Sequence, residues 1–203
     1  KFPLNREKYD NYFERMLDFD DINLAILGYG KIGQGLKKFL SGWVNSINIV
    51  TRVKRQKTHN VNFFSLDELS LALENRTHII NVLPLTNETS NFINSKSLEY
   101  FPKDVFYINA GRGETNDMEE LKKISNKGLI RGSSIDVFGL PNGRINEELL
   151  GLDNFNLTPH ISGWTKNFWG SQKSLCKENI DLFKKQNLKK MKNLVFLKGS
   201  LLN

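Results

Sequence analysis

One cysteine, Cys176, is all that 203 residues contain. That excludes an internal disulfide framework and suits a reducing compartment, so the expected location is cytoplasmic. No apolar run approaches the ~20 residues that a helix needs to cross a bilayer, and nothing reads as a signal peptide, so no membrane partner is expected. Histidine is scarce at three residues. His59 and His78 have no partner at ligand spacing, so no metal site is expected. Internal repeats and low-complexity segments are absent too, which argues against a solenoid or a disordered tail.

What is present is an ordinary globular composition, 39% hydrophobic and 25% charged with both signs interspersed. The length is long for one domain and short for two, which points to one full core with appendages. Residue 1 is Lys rather than Met, so the chain is expected to be a trimmed or processed product. The formal charge of +7 and pI near 9.4 raise nucleic acid as a partner. The basic residues fall into two places, Arg52–Lys57 and Lys184–Lys198. The second, near a chain end, reads as a solvated face rather than a phosphate track, and the first has a better explanation below.

Along the chain, Tyr9, Tyr12, Phe13 and Met16 recur at helical spacing and predict an amphipathic helix before the main domain. Buried strands are predicted at Asn23–Leu27, Ile47–Arg52, His78–Leu83, Val105–Asn109, Ile130–Val137 and Phe155–Leu157. Helices are predicted from Lys31 to about Leu40, from the Ser65/Glu68 capping box to about Glu74, over Ser95–Tyr100 before Pro102, and over Asp117–Ser125 with Gly128 as the stop. A closing helix carries Leu175, Cys176, Ile180, Leu182 and Phe183 on one side. Strands alternating with helices in this way predict an α/β fold with a parallel sheet covered on both faces.

Leu24-Ala25-Ile26-Leu27 runs straight into Gly28-Tyr29-Gly30-Lys31-Ile32-Gly33. A dinucleotide site needs those glycines for separate reasons. The first makes the tight turn, the second lets the backbone approach the pyrophosphate, and the third lets the helix pack closely on the strand. Amides at the start of that helix, around Lys31 and Ile32, then face the phosphates with a favourable dipole. A lone glycine pattern is weak evidence, and its position between a buried strand and a helix is what gives it meaning. The predicted architecture is therefore a Rossmann-type doubly wound parallel sheet with flanking terminal helices.

The end of the second strand separates the two nicotinamide cofactors, because a carboxylate there accepts the ribose hydroxyls of NAD and repels the 2′-phosphate of NADP. Here Thr51 lies 18 residues past Gly33, followed by Arg52, Lys54 and Arg55. A hydroxyl, a planar donor fork and further positive charge suit a phosphate, so NADP is expected as cofactor, with NAD as the alternative. A solvated basic strand end is the plain alternative for these residues.

From Val82 onward the chain resembles the D-isomer-specific 2-hydroxyacid dehydrogenases. The matching strings are V-L-P-L-T-N-E-T (Val82–Thr89), I-N-A-G-R-G (Ile108–Gly113), S-I-D-V-F (Ser134–Phe138) and L-T-P-H-I-S-G (Leu157–Gly163). They stand in the family's order and spacing, and with the glycine motif the resemblance covers about residues 5 to 187. The T-R-V-K-R segment looks like the S-R-S-R-K pattern of the NADP-linked glyoxylate/hydroxypyruvate reductases. The resemblance implies that Arg112 clamps the substrate carboxylate and polarises its keto oxygen. It implies that His160 is the general acid, Asp136 the partner of the nicotinamide carboxamide, and Pro84 and Thr89 neighbours of the adenosine and the pyrophosphate-ribose. Leu83, Ala110, Gly111 and Gly163 fall within the same matched strings and join the implied cofactor-binding set. An imidazole titrating near neutrality suits giving and retaking a proton. Read alone, Arg112 would be a surface residue of a glycine-rich turn and His160 a satisfied histidine after a proline.

Two departures qualify the resemblance. Where the family has a glutamate five residues after the D-V-F aspartate, this sequence has Pro141. Glu147 and Glu148 lie in the following segment, and Glu114, directly after Arg112-Gly113, is the candidate substitute, with a solvated loop acid as its plain alternative. Without a carboxylate partner the histidine is expected to have a lower pKa and a less defined tautomer. The family also places a substrate lobe mostly ahead of this domain. The expected division is residues 1–20 as a linking helix from a missing lobe, 21–170 as the dinucleotide-binding domain and 171–203 as the closing helix and tail. Three functions compete: a 2-oxoacid reductase acting on a small 2-oxoacid or 2-hydroxyacid, a non-enzymatic dinucleotide sensor of the corepressor kind, and a nucleic-acid binder. A homodimer is implied as well, with Trp43, Trp164, Phe168 and Trp169 available as contact area or as core.

Overall fold

The structure, a computed structural model, describes residues 16–53, 55–138, 147–193, 196–197 and 200–201. The chain divides into two compact units, Lys1–His160 and Ile161–Asn203. In the first, β1 (Asn23–Leu27), α1 (Lys31–Leu40), β2 (Ser46–Val50), β3 (Val61–Phe64), α2 (Leu69–Leu73) and β4 (His78–Asn81) are followed by α3 (Ser95–Leu98), β5 (Val105–Asn109), α4 (Met118–Asn126), β6 (Ile130–Ile135), α5 (Glu147–Leu150) and β7 (Phe155–Leu157). Seven strands form one sheet in the order β3-β2-β1-β4-β5-β6-β7, and every pairing is parallel. The chain runs from β1 outward to β3 and then returns to the other side of β1, so the strand order reverses between β1 and β4. A doubly wound sheet opens its ligand crevice at such a switch point.

Strands β1 to β4 each serve two cores. Leu24 and Ile26 pack with Ile47, Ile49 and Val61 beneath Leu36 and Leu40 of α1. Ala25 and Leu27, pointing the other way, join Val50, Ile79, Tyr107 and Ile135 beneath Leu73, Leu98 and Leu121 of α2, α3 and α4. Burial on both faces is why β1 reads as an unbroken apolar run rather than an alternating one. Asn48 is the polar exception inside β2. Its Nδ2 donates to the Ala72 carbonyl at 2.8 Å and its Oδ1 accepts from Asn62 at 3.0 Å, which ties the end of α2 to the sheet. The helix signals hold: Asp117 caps α4, and Gly128 stops the chain beyond it at φ +67. Ser65 and Glu68 form the expected box, opening first a 3-10 turn and then α2.

The structure corrects several sequence boundaries. Strand β3 was not anticipated, because four residues carrying an asparagine, V-N-F-F, at the sheet edge give too short a pattern. Strand β2 ends at Val50, β4 at Asn81 and β6 at Ile135, so Thr51, Leu83 and Asp136 belong to the loops beyond. The helix after Asn94 stops at Leu98, short of Tyr100. The helix expected around Tyr9 lies outside the described residues, and from Met16 the chain reaches β1 through only a 3-10 turn at Phe19–Asp21.

On the α1 side, among the described residues, a hollow of about 430 Å³ remains around the start of β4 and β7, lined by residues including His78, Phe106, Arg131, Gly132, Asp153 and Asn156. The His78 ring stacks on Phe106, with centroids 5.0 Å apart, and the Arg131 guanidinium lies 5.1 Å from the same ring.

In the second unit, α6 (Phe168–Lys184) is followed by an antiparallel pair, β8 (Phe196–Leu197) and β9 (Ser200–Leu201). Its half-buried stripe is Leu175, Asn179 and Leu182, while Ile180, Phe183 and Cys176 are exposed. That narrows the apolar side predicted for this helix to one line at i, i+4, i+7, because Asn179 exchanges two 2.9 Å hydrogen bonds with the Lys192 backbone and so faces the tail. No helix among the described residues is long and apolar enough to cross a membrane.

Half-burial of His78, reinforced by Arg131, holds its pKa below the usual imidazole value. The fold therefore favours the neutral ring, and the stability this gives is present above about pH 6.5 and is lost as pH falls through the lowered value. Urea unfolding between pH 7 and 5 should show stability declining toward acid, with a shallower decline in His78→Gln. An unchanged slope in the variant would contradict this assignment.

Candidate functional site

Six chain segments leave the sheet at the carboxyl ends of their strands, and each makes one further backbone rung with the neighbouring strand before it turns away. Gly28 N donates to Val50 O at 2.9 Å, Thr51 N to Phe64 O at 2.9 Å, and Val82 N to Leu27 O at 2.9 Å. Ala110 N donates to Asn81 O at 3.1 Å, Asp136 N to Asn109 O at 2.9 Å, and Thr158 N to Ile135 O at 3.0 Å. This brings the glycine turn, the basic segment, the Leu83–Pro84 loop, the Ala110–Arg112 turn, Asp136 and the Thr158–His160 end to one edge, across the switch point. Gly163 lies in the other unit, and Lys54 and Pro141 lie outside the described residues.

At the glycine turn the three positions differ in kind. Gly28 has φ +107, and a Cβ there would stand 2.9 Å from Val82 O. A Cβ on Gly33 would stand 2.1 Å from Gly28 O, a collision with backbone that cannot yield. Gly30 is the opposite case, with open space around the position of its missing Cβ. It is the residue before α1, and no side chain caps that helix. Lys31 and Ile32 are exposed beside it. A bare helix start facing open space is a seat for an anion, because its first N–H groups have no partner within the helix. The residues present fit a dinucleotide pyrophosphate on that ground.

Around this turn, Thr51 is half-buried and Arg52 and Arg55 are exposed. The Arg55 guanidinium lies 5.1 Å from the centre of the Tyr29 ring, within the glycine turn itself. The basic segment and the phosphate turn, distant in sequence, therefore meet.

On the far side of the switch point a second glycine does the same work as the first. A Cβ on Gly111 would stand 2.8 Å from Leu83 O, so Val82–Leu83 runs in a slot between two turns with room for no side chain on either. Arg112 is exposed and its Nη1 donates to Gly111 O at 2.7 Å. Its own carbonyl accepts from Asn109 Nδ2 at 3.2 Å and from Thr115 Oγ1 at 2.6 Å. Asp136 is buried and accepts from Thr158 Oγ1 at 2.5 Å. His160 is exposed, with φ +55, a left-handed conformation that histidine adopts more readily than most side chains. Thr89 is buried, and its hydroxyl donates to Pro84 O at 2.6 Å and accepts from Thr86 N at 2.8 Å, so its hydrogen bonds shape the loop. Glu114 is exposed.

The residues that set these turns were not singled out from the sequence. Asn81 and Asn109 are buried and in register as the last residues of β4 and β5. Asn81 Oδ1 accepts from Leu83 N at 3.0 Å and Asn109 Oδ1 from Gly111 N at 2.9 Å, so each side chain ends its strand and bends the chain. Asn81 Nδ2 in turn reaches Tyr107 Oη and Thr115 Oγ1, and Tyr107 donates to Asn116 Oδ1 at 2.6 Å. Burial pushes the Tyr107 phenol well above its usual range, so it stays protonated as a donor. The available signal was the repeated I-N pair closing two apolar runs.

Comparisons with known proteins agree with this geometry. The family model for "D-isomer specific 2-hydroxyacid dehydrogenase, NAD binding domain" matches residues 5–162. A glyoxylate reductase of Thermococcus onnurineus is 32% identical over 164 residues, which is 79% of this chain and 48% of the relative. A glyoxylate/hydroxypyruvate reductase of Arabidopsis thaliana is 32% identical over 160 residues, again 79% of this chain and 48% of the relative. The chain thus spans about half the length of the curated relatives it matches. Among solved structures, a D-isomer specific 2-hydroxyacid dehydrogenase of Xanthobacter autotrophicus, in complex with NADPH and MES, superposes with a TM-score of 0.75 at 22% identity, covering 90% of this chain and 77% of that one. That likeness is one of fold.

The contrast between the glycines gives a direct expectation. Gly30→Ala should cost no more than about 1 kcal/mol of stability, yet weaken dinucleotide binding by about tenfold or more, because its methyl group enters the open seat. Gly33→Ala should fail to reach the native melting transition at all. Calorimetric titration beside thermal unfolding reads both, and a Gly30→Ala variant that binds like the parent would remove the seat from this turn.

Proposed function

The chain belongs to the D-isomer specific 2-hydroxyacid dehydrogenase family through its NAD-binding domain, and from that premise we propose that it is the NADP(H)-binding domain of a cytoplasmic 2-oxoacid reductase. The observation that carries the reading is the row of residues along the carboxyl edge of the sheet, from the glycine turn at Gly28 through Thr51 and Arg112 to His160. The names of the relatives, glyoxylate reductase and glyoxylate/hydroxypyruvate reductase, support a small 2-oxoacid as substrate.

In this proposal Gly28, Gly30 and Gly33, with the amides of Lys31 and Ile32, hold the pyrophosphate. Thr51, Arg52, Lys54 and Arg55 take the 2′-phosphate, which a strand end without a carboxylate admits. Leu83, Pro84, Thr89, Ala110 and Gly111 complete the cofactor-binding set, and Asp136 orients the nicotinamide carboxamide. The bound coenzyme supplies a hydride. Arg112 pairs its guanidinium with the substrate carboxylate, a planar anion that its donors match. An imidazole N–H of His160 gives its proton to the carbonyl oxygen of the substrate and retakes it in the reverse direction. The 203 residues bind and orient the coenzyme, and they span about half the length of the relatives. The proposed assembly is a homodimer, to which exposed Trp43 contributes apolar area. A dimer boundary in sedimentation supports this, and a clean monomer counts against it.

A second reading has one observation in its favour. Pro141 stands where a carboxylate would hold the histidine, which suits a dinucleotide sensor that has lost the chemistry. General acid catalysis contributes ~10²–10⁴-fold, and the loss of its partner is of that order at most.

Two measurements follow. Titration at one fixed salt concentration should give a lower Kd for NADPH than for NADH, and a clear NADH preference would overturn the cofactor assignment. For a protein carrying the substrate lobe, NADPH oxidation with glyoxylate or hydroxypyruvate should be measurable and fall by about 10²-fold or more in His160→Asn. Tight NADPH binding with no turnover on either substrate would favour the sensor instead.

A further inference from the structure

We propose that Tyr29, the middle residue of the first Gly-Tyr-Gly, is a positioning residue that sets the preference between NADP(H) and NAD(H) by holding Arg55 at the mouth of the phosphate turn. This rests on the reading of the edge as an NADP(H) site. The Arg55 guanidinium carbon lies 5.1 Å from the centroid of the Tyr29 ring. The ring does not wander, because Phe63 of β3 meets it edge to face, with centroids 5.2 Å apart and planes at 76°. Behind it lies the core cluster of Leu24, Ile26, Ile47 and Ile49. The Tyr29 carbonyl accepts from Gln34 Nε2 at 3.2 Å, which ties its backbone to the first turns of α1.

Three elements thus converge on one side chain: the turn after β1 supplies the ring, β3 braces it, and the loop between β2 and β3 supplies the cation. Arg55 is exposed, and an exposed arginine on a loop has many rotamers to lose on binding a phosphate. A ring beneath it restricts those rotamers in the free protein. The two contacts do not compete, since the ring attracts the charge of the guanidinium while its N–H donors are what phosphate oxygens take. Tyr29 therefore acts on the 2′-phosphate through Arg55 and has no reason to act on a dinucleotide that lacks that group. The consequence is a selectivity element inside the glycine motif, at a position where the dinucleotide fingerprint itself leaves the side chain open.

The test uses the 203-residue chain with four probes, NADPH, NADH, adenosine 2′,5′-bisphosphate and AMP, titrated at one ionic strength. Tyr29→Leu should weaken NADPH and adenosine 2′,5′-bisphosphate about two- to fivefold and leave NADH and AMP within error. Tyr29→Phe, which keeps the ring, should restore the parent values. In an Arg55→Gln background Tyr29→Leu should have no further effect, the signature of coupling in a double-mutant cycle. Equal weakening of NADPH and NADH by Tyr29→Leu, or an undiminished effect without Arg55, would overturn the proposal while leaving the NADP(H) reading in place. A parent chain that binds none of the four probes would overturn that reading and the proposal with it.

Discussion

The arrangement depends on how closely backbone meets backbone beneath the glycine turn. A methyl group on Gly33 would stand 2.1 Å from the Gly28 carbonyl oxygen, and one on Gly28 would press on Val82 O at 2.9 Å. Only without those groups can α1 start directly over the end of β1 while the chain leaving β4 passes alongside. The open space at Gly30 follows from this, since the helix start is drawn down onto the sheet and no side chain rises to cap it. Packing thus leaves the start of α1 close to the sheet with no side-chain cap from Gly30, which supports the proposed anion seat there.

The other half of the site is built by hydrogen bonds rather than by missing side chains alone. Asn81 and Asn109 end neighbouring strands in register and fold their loops back with their own amides. The carbonyl of Arg112 is held from two sides by Asn109 and Thr115, and Thr115 is held by Asn81. Asn81, Asn109 and Thr115 are buried, so leaving one of their polar groups unpaired would cost about 1–3 kcal/mol, and the network tolerates few substitutions. The side chain of Arg112 is thereby presented by a fixed backbone while itself remaining in solvent, which supports its proposed role toward a substrate carboxylate.

The sequence made the centre of the fold legible and its margins less so. Strand β1 and helix α1 were readable because two-sided burial leaves a continuous apolar run and because the glycines mark the ends, and β5 and β7 because turn signals bound their apolar residues. Edge strand β3 was not, since four residues with one inward asparagine carry little periodic signal. Strand ends were overrun at Thr51, Leu83 and Val137 because the apolar pattern continues past the last ladder pair. Leu83 and Val137 are buried in the loops beyond, so hydrophobicity alone cannot tell strand from tucked loop. Of the candidate site, the glycine turn stood out by its place between a strand and a helix, and Arg112 and His160 entered only through the resemblance to the family. The asparagine pair and the meeting of Arg55 with Tyr29 could not be read, because each depends on contacts between segments far apart in sequence.

The central claim is that the dinucleotide sits on the backbone amides at the start of α1, at the sheet's carboxyl edge, and not in the hollow around His78 and Phe106. Titrating the ¹⁵N-labelled chain with NADPH and following every amide resonance tests it most directly. The account predicts the largest shifts at Gly30, Lys31, Ile32 and Gly33, with a second group from Ala110 to Arg112, and little change at Phe106 or Gly132. Shifts concentrated at Phe106, Gly132 and Asn156, with the glycine turn unmoved, would contradict it.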